Sequence, residues 1–290
     1  MKEPAILPDL LCIGFLCHDL HKGKNILGGT ASYSSIMASH LKMRTALLTS
    51  VGKDFEFFEI FEQHQIEICN RASAKTTVFE NSYHQGKRKQ FIYNRARTLG
   101  PEDLPQEWFK IPIIKFCLIA DEVTPTFLEK FPQALVGATI QGWLRQWDQQ
   151  GKIRSKQMDW ELLRHVDIVF MSEDDIADFK EVLPRIAGLV QILVMTNGKE
   201  GAIVFHQGKK QHFPAFPTIE VDPTGAGDIF AAAFLVKYHR SKSILHSAAF
   251  AHAAASFIVE DYGIHLPELH AIEKRYQQYL KQFMDLSNEK

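Results

Sequence analysis

Val221-Asp222-Pro223-Thr224-Gly225-Ala226-Gly227-Asp228, running on into Ile229-Phe230-Ala231-Ala232-Ala233-Phe234-Leu235-Val236, decides how the rest of the chain is read. Two carboxylates bracket a turn of Gly and Ala, and an almost wholly apolar helix follows. Thr218-Ile219-Glu220-Val221 reads as a strand ending at Asp222, because Pro223 lacks the N–H that further pairing would need. Gly225 and Gly227 let the backbone bend sharply and come close to a ligand. The helix that starts there leaves its first N–H groups unpaired, and its dipole adds roughly half a positive charge at that end. Such a mouth accepts an anion, phosphate above all, with Asp228 in reach of whatever that anion reacts with. The same residues also fit a plain strand-to-helix connection capped by an acid, so the anion site needs support from elsewhere.

Working outward, apolar patterning predicts strands over 10–15, 45–51, 113–120, 134–140, 167–171, 191–196 and 202–206. Helices are expected over 30–41, 55–64, 125–131, 160–165, 176–182, 229–239, 244–259 and 267–284. Alternating strand and helix implies an α/β protein with a mostly parallel sheet covered on both faces. Thr77-Val78-Phe79 and Phe91-Ile92-Tyr93, joined by Gln85-Gly86-Lys87-Arg88-Lys89, break this pattern as a hairpin. With 16–28, the segment 76–97 would form a small β lid over the site. No repeat or long linker divides the chain, so residues 1–290 read as one domain.

The composition is that of an ordinary globular protein: 46% hydrophobic, 23% charged, net charge −1. That balance speaks against nucleic-acid or membrane-surface partners. Four scattered cysteines in 290 residues point to reduced thiols, and no run approaches membrane-spanning length or signal-peptide shape; a cytoplasmic location is expected. Cys12, Cys17, His18 and His21 match no zinc spacing. The chain lacks Gly-x-x-x-x-Gly-Lys-Ser/Thr, Gly-x-Gly-x-x-Gly, His-Glu-x-x-His and Gly-x-Ser-x-Gly. Walker nucleotide binding, dinucleotide binding, zinc peptidase and nucleophile-elbow chemistry therefore lose their usual marks. Asp19 follows a buried strand, where α/β proteins place ligand contacts. Gly28-Gly29 before a helix allows close backbone approach, and Asn94, Arg95 and Arg97 stand at the base of the hairpin.

Four stretches in order resemble the ribokinase (phosphofructokinase-B) family of small-molecule kinases. They are Gly28-Gly29, Thr196-Asn197-Gly198-Lys199-Glu200-Gly201, Asp222-Pro223-Thr224-Gly225-Ala226-Gly227-Asp228 and Phe250-Ala251-His252-Ala253-Ala254. The third is similar to the family's Asp-Thr-x-Gly-Ala-Gly-Asp signature. The resemblance implies a single α/β Rossmann-like (ribokinase-like) core with a small β lid, and ATP as phosphoryl donor. It makes Asp228 the base, with the Gly225, Ala226 and Gly227 amides holding charge on the transferred phosphoryl. Asp19, Gly28 and Gly29 would bind the acceptor, and Thr196, Gly198, Gly201 and His252 would lie along the nucleotide. Asn94, Arg95 and Arg97, by their place at the hairpin base alone, are acceptor-binding candidates that fit a plain surface role equally. Helix-end amides suit a loose phosphoryl-transfer transition state, each donor being worth about 3–4 kcal/mol.

Cys17-His18-Asp19, Thr76-Thr77-Val78-Phe79-Glu80, Gln141-Gly142-Trp143-Leu144-Arg145 and Phe213-Pro214-Ala215-Phe216-Pro217 look most like the inositol-kinase branch. There Arg145 would contact the transferring phosphate, its fixed charge binding two oxygens at once. Three positions depart from the family pattern. Tyr33 stands where many sugar kinases carry Asn; Ser172-Glu173-Asp174-Asp175 replaces Asn-x-x-Glu; Thr139 replaces a common acid. Asp175 would take over the organisation of Mg2+ through water, although Ser172-x-x-Asp175 is equally a helix cap. Asp222, Thr224 and the backbone around Val259 to Gly263 are the resemblance's candidates for a monovalent cation, K+. The expected activity is ATP-dependent phosphorylation of a hydroxyl on a sugar, polyol or cyclitol, inositol first. A nucleoside or sugar-acid kinase, or a non-catalytic binding protein on the same fold, are the alternatives. A flat lid also offers a surface for pairing with a second copy as a homodimer.

Overall fold

The unbroken apolar run Leu-Leu-Cys-Ile suits a strand buried on both faces, and Leu10–Ile13 lies inside the main sheet with every residue buried. The structure, a computed structural model, describes residues 6–84 and 87–288. Among these, nine strands share one sheet in the order Lys209–Phe213, Ala202–His206, Ile192–Thr196, Ile168–Ser172, Leu135–Thr139, Ile113–Cys117, Leu10–Ile13, Thr45–Thr49, Glu67–Asn70. Every pairing from Ile192–Thr196 to Glu67–Asn70 is parallel. The two pairings at the other edge are antiparallel. The chain order reverses between Leu10–Ile13 and Ile113–Cys117, which places a crevice beyond the carboxyl ends of those strands.

The helices are α1 (Thr30–His40), α2 (Phe58–Gln63), α3 (Leu183–Leu189), α4 (Ala226–Ser241), α5 (Ile244–Ile258) and α6 (Leu269–Asn288). Long helices α1, α4, α5 and α6 cover one face of the sheet, with Ala231, Ala232 and Ala233 keeping α4 close. The other face is covered mainly by short 3-10 turns, Pro125–Lys130, Trp160–His165 and Asp174–Val182, with α3. The helices expected there form, but as 3-10 turns. Pro125 and Pro132 confine the first turn, and Phe179 breaks the last at φ −150°, ψ 49°.

A second, four-stranded sheet sits past the carboxyl end of Leu10–Ile13, in the order Lys24–Gly28, Cys17–His21, Thr77–His84, Lys87–Asn94. Only its Cys17–His21 and Thr77–His84 pairing is parallel. The expected turn residues Gln85 and Gly86 lie outside the described residues. The ribbon Arg145–Trp147 with Ile153–Ser155 fastens this sheet to the body, Ile92 N–H donating to Gly151 O at 2.9 Å. One expectation fails: 218–221 is not a strand, so Asp222 does not end one. Pro217 and Pro223 deny the segment two ladder donors, and Val221 and Asp222 amides go to Val259 O instead, at 2.6 and 3.2 Å.

Candidate active site

The carboxyl end of the main sheet, the small sheet and the start of α4 enclose a cavity of about 870 Å³. Gly225 caps α4 in the left-handed region, φ 78°, and a Cβ there would fall 2.1 Å from the Tyr33 ring. Glycine alone therefore lets this turn meet α1. The Ala226 amide donates to Pro223 O at 3.2 Å, and that of Asp228 to Gly225 O at 3.1 Å. Among the described residues, the Gly225 and Gly227 amides make no backbone hydrogen bond. Gly225, Ala226, Gly227 and Asp228 all line the cavity, so the helix mouth is open and faces into it.

Asp228 is tied to α1 by a hydrogen bond from the Thr30 hydroxyl. Burial pushes its carboxyl up to about 6; the Thr30 bond and the charges of Lys115 and Arg145 pull it down, while Asp175 adds to the rise. A carboxylate poised there accepts a proton near neutral pH. Asp19 comes from the lid, on the same face of its strand as Cys17, and both line the cavity. A Cβ on Gly28 would fall 2.4 Å from the Asp19 carboxylate, so that glycine makes room for the acid while Gly29 reaches the cavity itself. Phe79, in register with Asp19, and the amides of Asn81 and Gln90 complete this wall; Gln90 Nε2 donates to Asn81 Oδ1 at 3.0 Å. Arg145 lies on the wall between lid and helix mouth, Nη1 donating to Ile119 O at 3.2 Å. Tyr33, pressed on Gly225, feels the charges of Asp19, Asp228 and Asp222, and burial raises its hydroxyl well above the ordinary phenol range.

Thr196, Gly198 and Gly201 line the opposite end with Phe216, Pro217, Ala255 and Ser256. His252 joins them from α5, stacked on Tyr279 and edge-on to Phe230 at 4.9 Å. Burial pushes its imidazole down to about 3, so the ring is neutral, and its Nε2 has no partner among the described residues. Asp175 also lines the cavity, yet its carboxylate caps its own turn: Ser172 N–H donates to Oδ2 at 2.7 Å, and Gln141 Nε2 to Oδ1 at 2.8 Å. Asp222 is turned to Thr224, whose amide it accepts at 3.0 Å, and only Thr224 reaches the cavity.

Four sequence-derived acceptor residues do not line the cavity: Gly28, which lies behind the Asp19 carboxylate, and the three at the base of the hairpin. Asn94 is exposed on the lid strand opposite Val78. Arg95 donates to Ala120 O at 2.7 Å, to Thr98 Oγ1 at 3.0 Å and to Asp121 O, clamping the end of the central sheet. Arg97 pairs with the buried Asp103. These contacts consume the charge that the sequence offered to an anionic ligand. Conversely, Thr30, Asn81 and Gln90 belong to the site and were not singled out. Thr30 follows Gly28-Gly29 directly, and Phe79 and Asn81 alternate on one strand face, which are the signals that would have found them.

Residues 17–271 match the pfkB family of carbohydrate kinases. A nucleoside kinase of Methanothermobacter thermautotrophicus is 28% identical over 271 residues, covering 87% of this chain and 85% of its own. An inositol 3-kinase of Arabidopsis thaliana is 26% identical over 282 residues, covering 90% and 77%. Among solved structures, a pyrophosphate-dependent kinase of the ribokinase family, complexed with a pyrophosphate analog and myo-inositol, shares the fold with TM-score 0.78. It is 22% identical, and the match covers 92% of this chain and 99% of that one. Arabidopsis ribokinase, complexed with ribose and ATP, gives TM-score 0.75 at 20% identity over 93% and 99%. The open glycine-lined helix mouth thus sits in a chain that belongs to the pfkB family of carbohydrate kinases.

Proposed function

We propose that this kinase transfers the terminal phosphoryl of ATP to a hydroxyl of a small neutral polyhydroxy compound, myo-inositol first and a nucleoside second. One observation carries the reading: Asp19 and Asp228 line a single cavity that the start of α4 also faces. Asp19 would orient the acceptor hydroxyls, with Asn81 and Gln90 offering further donors and acceptors. As the alcohol oxygen attacks the phosphoryl, its proton passes to Asp228 and ADP leaves. The Gly225 to Gly227 amides and Arg145 hold the charge spread over the phosphoryl oxygens.

The far end of the cavity supports a nucleotide over a bare pyrophosphate. Phe216, Pro217, Ala255 and the neutral His252 give flat apolar walls suited to a purine. Engagement of Arg95 and Arg97 elsewhere supports a neutral acceptor over a sugar acid. Asp174 and Asp175 line the cavity and would hold a hydrated Mg2+ through water, Asp175 with the lone pairs left by its Ser172 and Gln141 bonds, and the ion would neutralise the phosphates. The expected monovalent-cation residues do not fit: Asp222, the charged member, does not line the cavity, and Val259 O already accepts two amides.

The test measures product release with ATP or pyrophosphate as donor against myo-inositol, hexoses, nucleosides and sugar acids. Turnover with ATP and a neutral acceptor is expected. Tight binding of an acceptor without turnover from either donor would make this a binding protein on a kinase fold.

A further inference from the structure

Lys115 is 1% exposed, on the strand Ile113–Cys117, on the face that α4 covers. Ile113, Cys117 and Phe170, on the same face, are core residues. The ammonium bonds Thr139 Oγ1, donates to Phe116 O at 3.3 Å and lies 5.2 Å from the centre of the Phe170 ring. A hydroxyl, a carbonyl and a ring face satisfy it, none of them a carboxylate. Burying an ammonium without an ion partner is costly, and an apolar chain of similar length commonly serves stability better. Stability therefore gives no reason for a lysine here, but location does. Thr139 and Phe170 are themselves walls of the cavity, and α4, whose first turn carries Asp228, packs on their strands.

We propose that Lys115 is a positioning residue for phosphoryl transfer: its ammonium, held behind the cavity wall by Thr139, supplies the positive charge that keeps Asp228 ionised as the base. The other groups facing Asp228 come from every side of it. Thr30 donates to it from α1, Arg145 adds positive charge from beyond Leu135–Thr139, and Asp175 opposes from beyond Ile168–Ser172. The Tyr33 hydroxyl and the Cys17 and Cys117 thiols also feel Asp228. The burial of Lys115 shields its charge from salt, whereas Arg145 lines the open cavity. The inference rests on Asp228 being the base, but its effect is readable without turnover.

The experiment titrates the Asp228 carboxyl by carbon NMR in the full chain labelled at aspartate Cγ, the signal being assigned by its absence in Asp228→Asn. Lys115→Met keeps the length of the side chain and removes the charge. It should raise the Asp228 midpoint by about one unit, since a nearby opposite charge lowers a carboxyl by 1–3. With any acceptor found to turn over, the acid limb of kcat/KM should move equally, about fivefold more activity being lost at pH 6 than at pH 8. Lys115→Arg should restore the wild-type midpoint. A folded Lys115→Met protein with a lowered melting temperature and an unmoved midpoint marks a merely structural lysine and overturns the proposal. If Lys115→Met does not fold, Thr139→Val, which frees the ammonium from its anchor, must raise the midpoint; no change overturns it equally. Full activity in Asp228→Asn would instead remove the base while leaving the electrostatic coupling measurable.

Discussion

The two ends of the cavity are built by different means. The lid end takes Asp19, Phe79, Asn81 and Gln90 from paired strands, so hydrogen-bonded register fixes where each polar group points. The opposite end takes Thr196, Gly198 and Phe216 from loops and His252 from a helix, and much of its wall is apolar. Between them lies the mouth of α4. Rigid, polar placement discriminates between hydroxyl patterns; flat apolar walls hold a base without reading much of it. Acceptor choice should therefore reside in the lid, and donor retention in the loops.

The largest effect should come from the point where the ends meet. Asp228→Asn is expected to lower kcat by about 10²–10⁴-fold, the usual weight of a general base, with ATP affinity nearly unchanged by calorimetry. Retained turnover would dissolve the distinction between the ends, since no acid would then join them. Next comes Asp19→Asn at the lid end, which should cost about ten- to a hundredfold in kcat/KM for the acceptor and spare KM for ATP. An equal loss in both KM values would mean the ends are not separate. His252→Ala should do the reverse, raising KM for ATP by a few-fold, on the order of one hydrogen bond, with acceptor KM constant.

The acid limb of the rate sharpens the same division. Asp228 has its carboxyl raised to about 6 by burial, so it is charged above that pH and protonated below. The rate should fall tenfold per unit as pH drops past about 6, with little change in acceptor affinity. Smallest of all on catalysis is Arg95→Ala, which removes hydrogen bonds to Ala120 and Thr98. It should lower stability by about 1–2 kcal/mol in urea melts and leave both KM values alone. A raised acceptor KM would return Arg95 to the lid end of the site.

Legibility followed the range of the contacts. The Gly225-Ala226-Gly227-Asp228 turn was readable because everything that shapes it lies within one helix start. The parallel strands were readable from unbroken apolar runs, and their ends shifted by only a few residues: 113–120 became Ile113–Cys117 and 134–140 became Leu135–Thr139. Where proline intervened, local pattern misled, as at 125–131 and 218–221. Asn94, Arg95 and Arg97 looked like ligand contacts because their partners, Val78, Ala120 and Asp103 among them, lie elsewhere in the chain.

The amino-acid order by itself determined the layered α/β fold, the lid insertion, and a helix mouth bearing both glycine freedom and an acid. Those features arise from side-chain periodicity and from residues adjacent along the backbone. Tertiary structure alone decided that Thr30 bonds Asp228 and that Lys115 lies behind the wall of the same cavity, across separations of about 200 and 110 residues, and that two arginines turn away. Sheet register and helix docking bring those groups together, and neither is written in any local stretch of the chain.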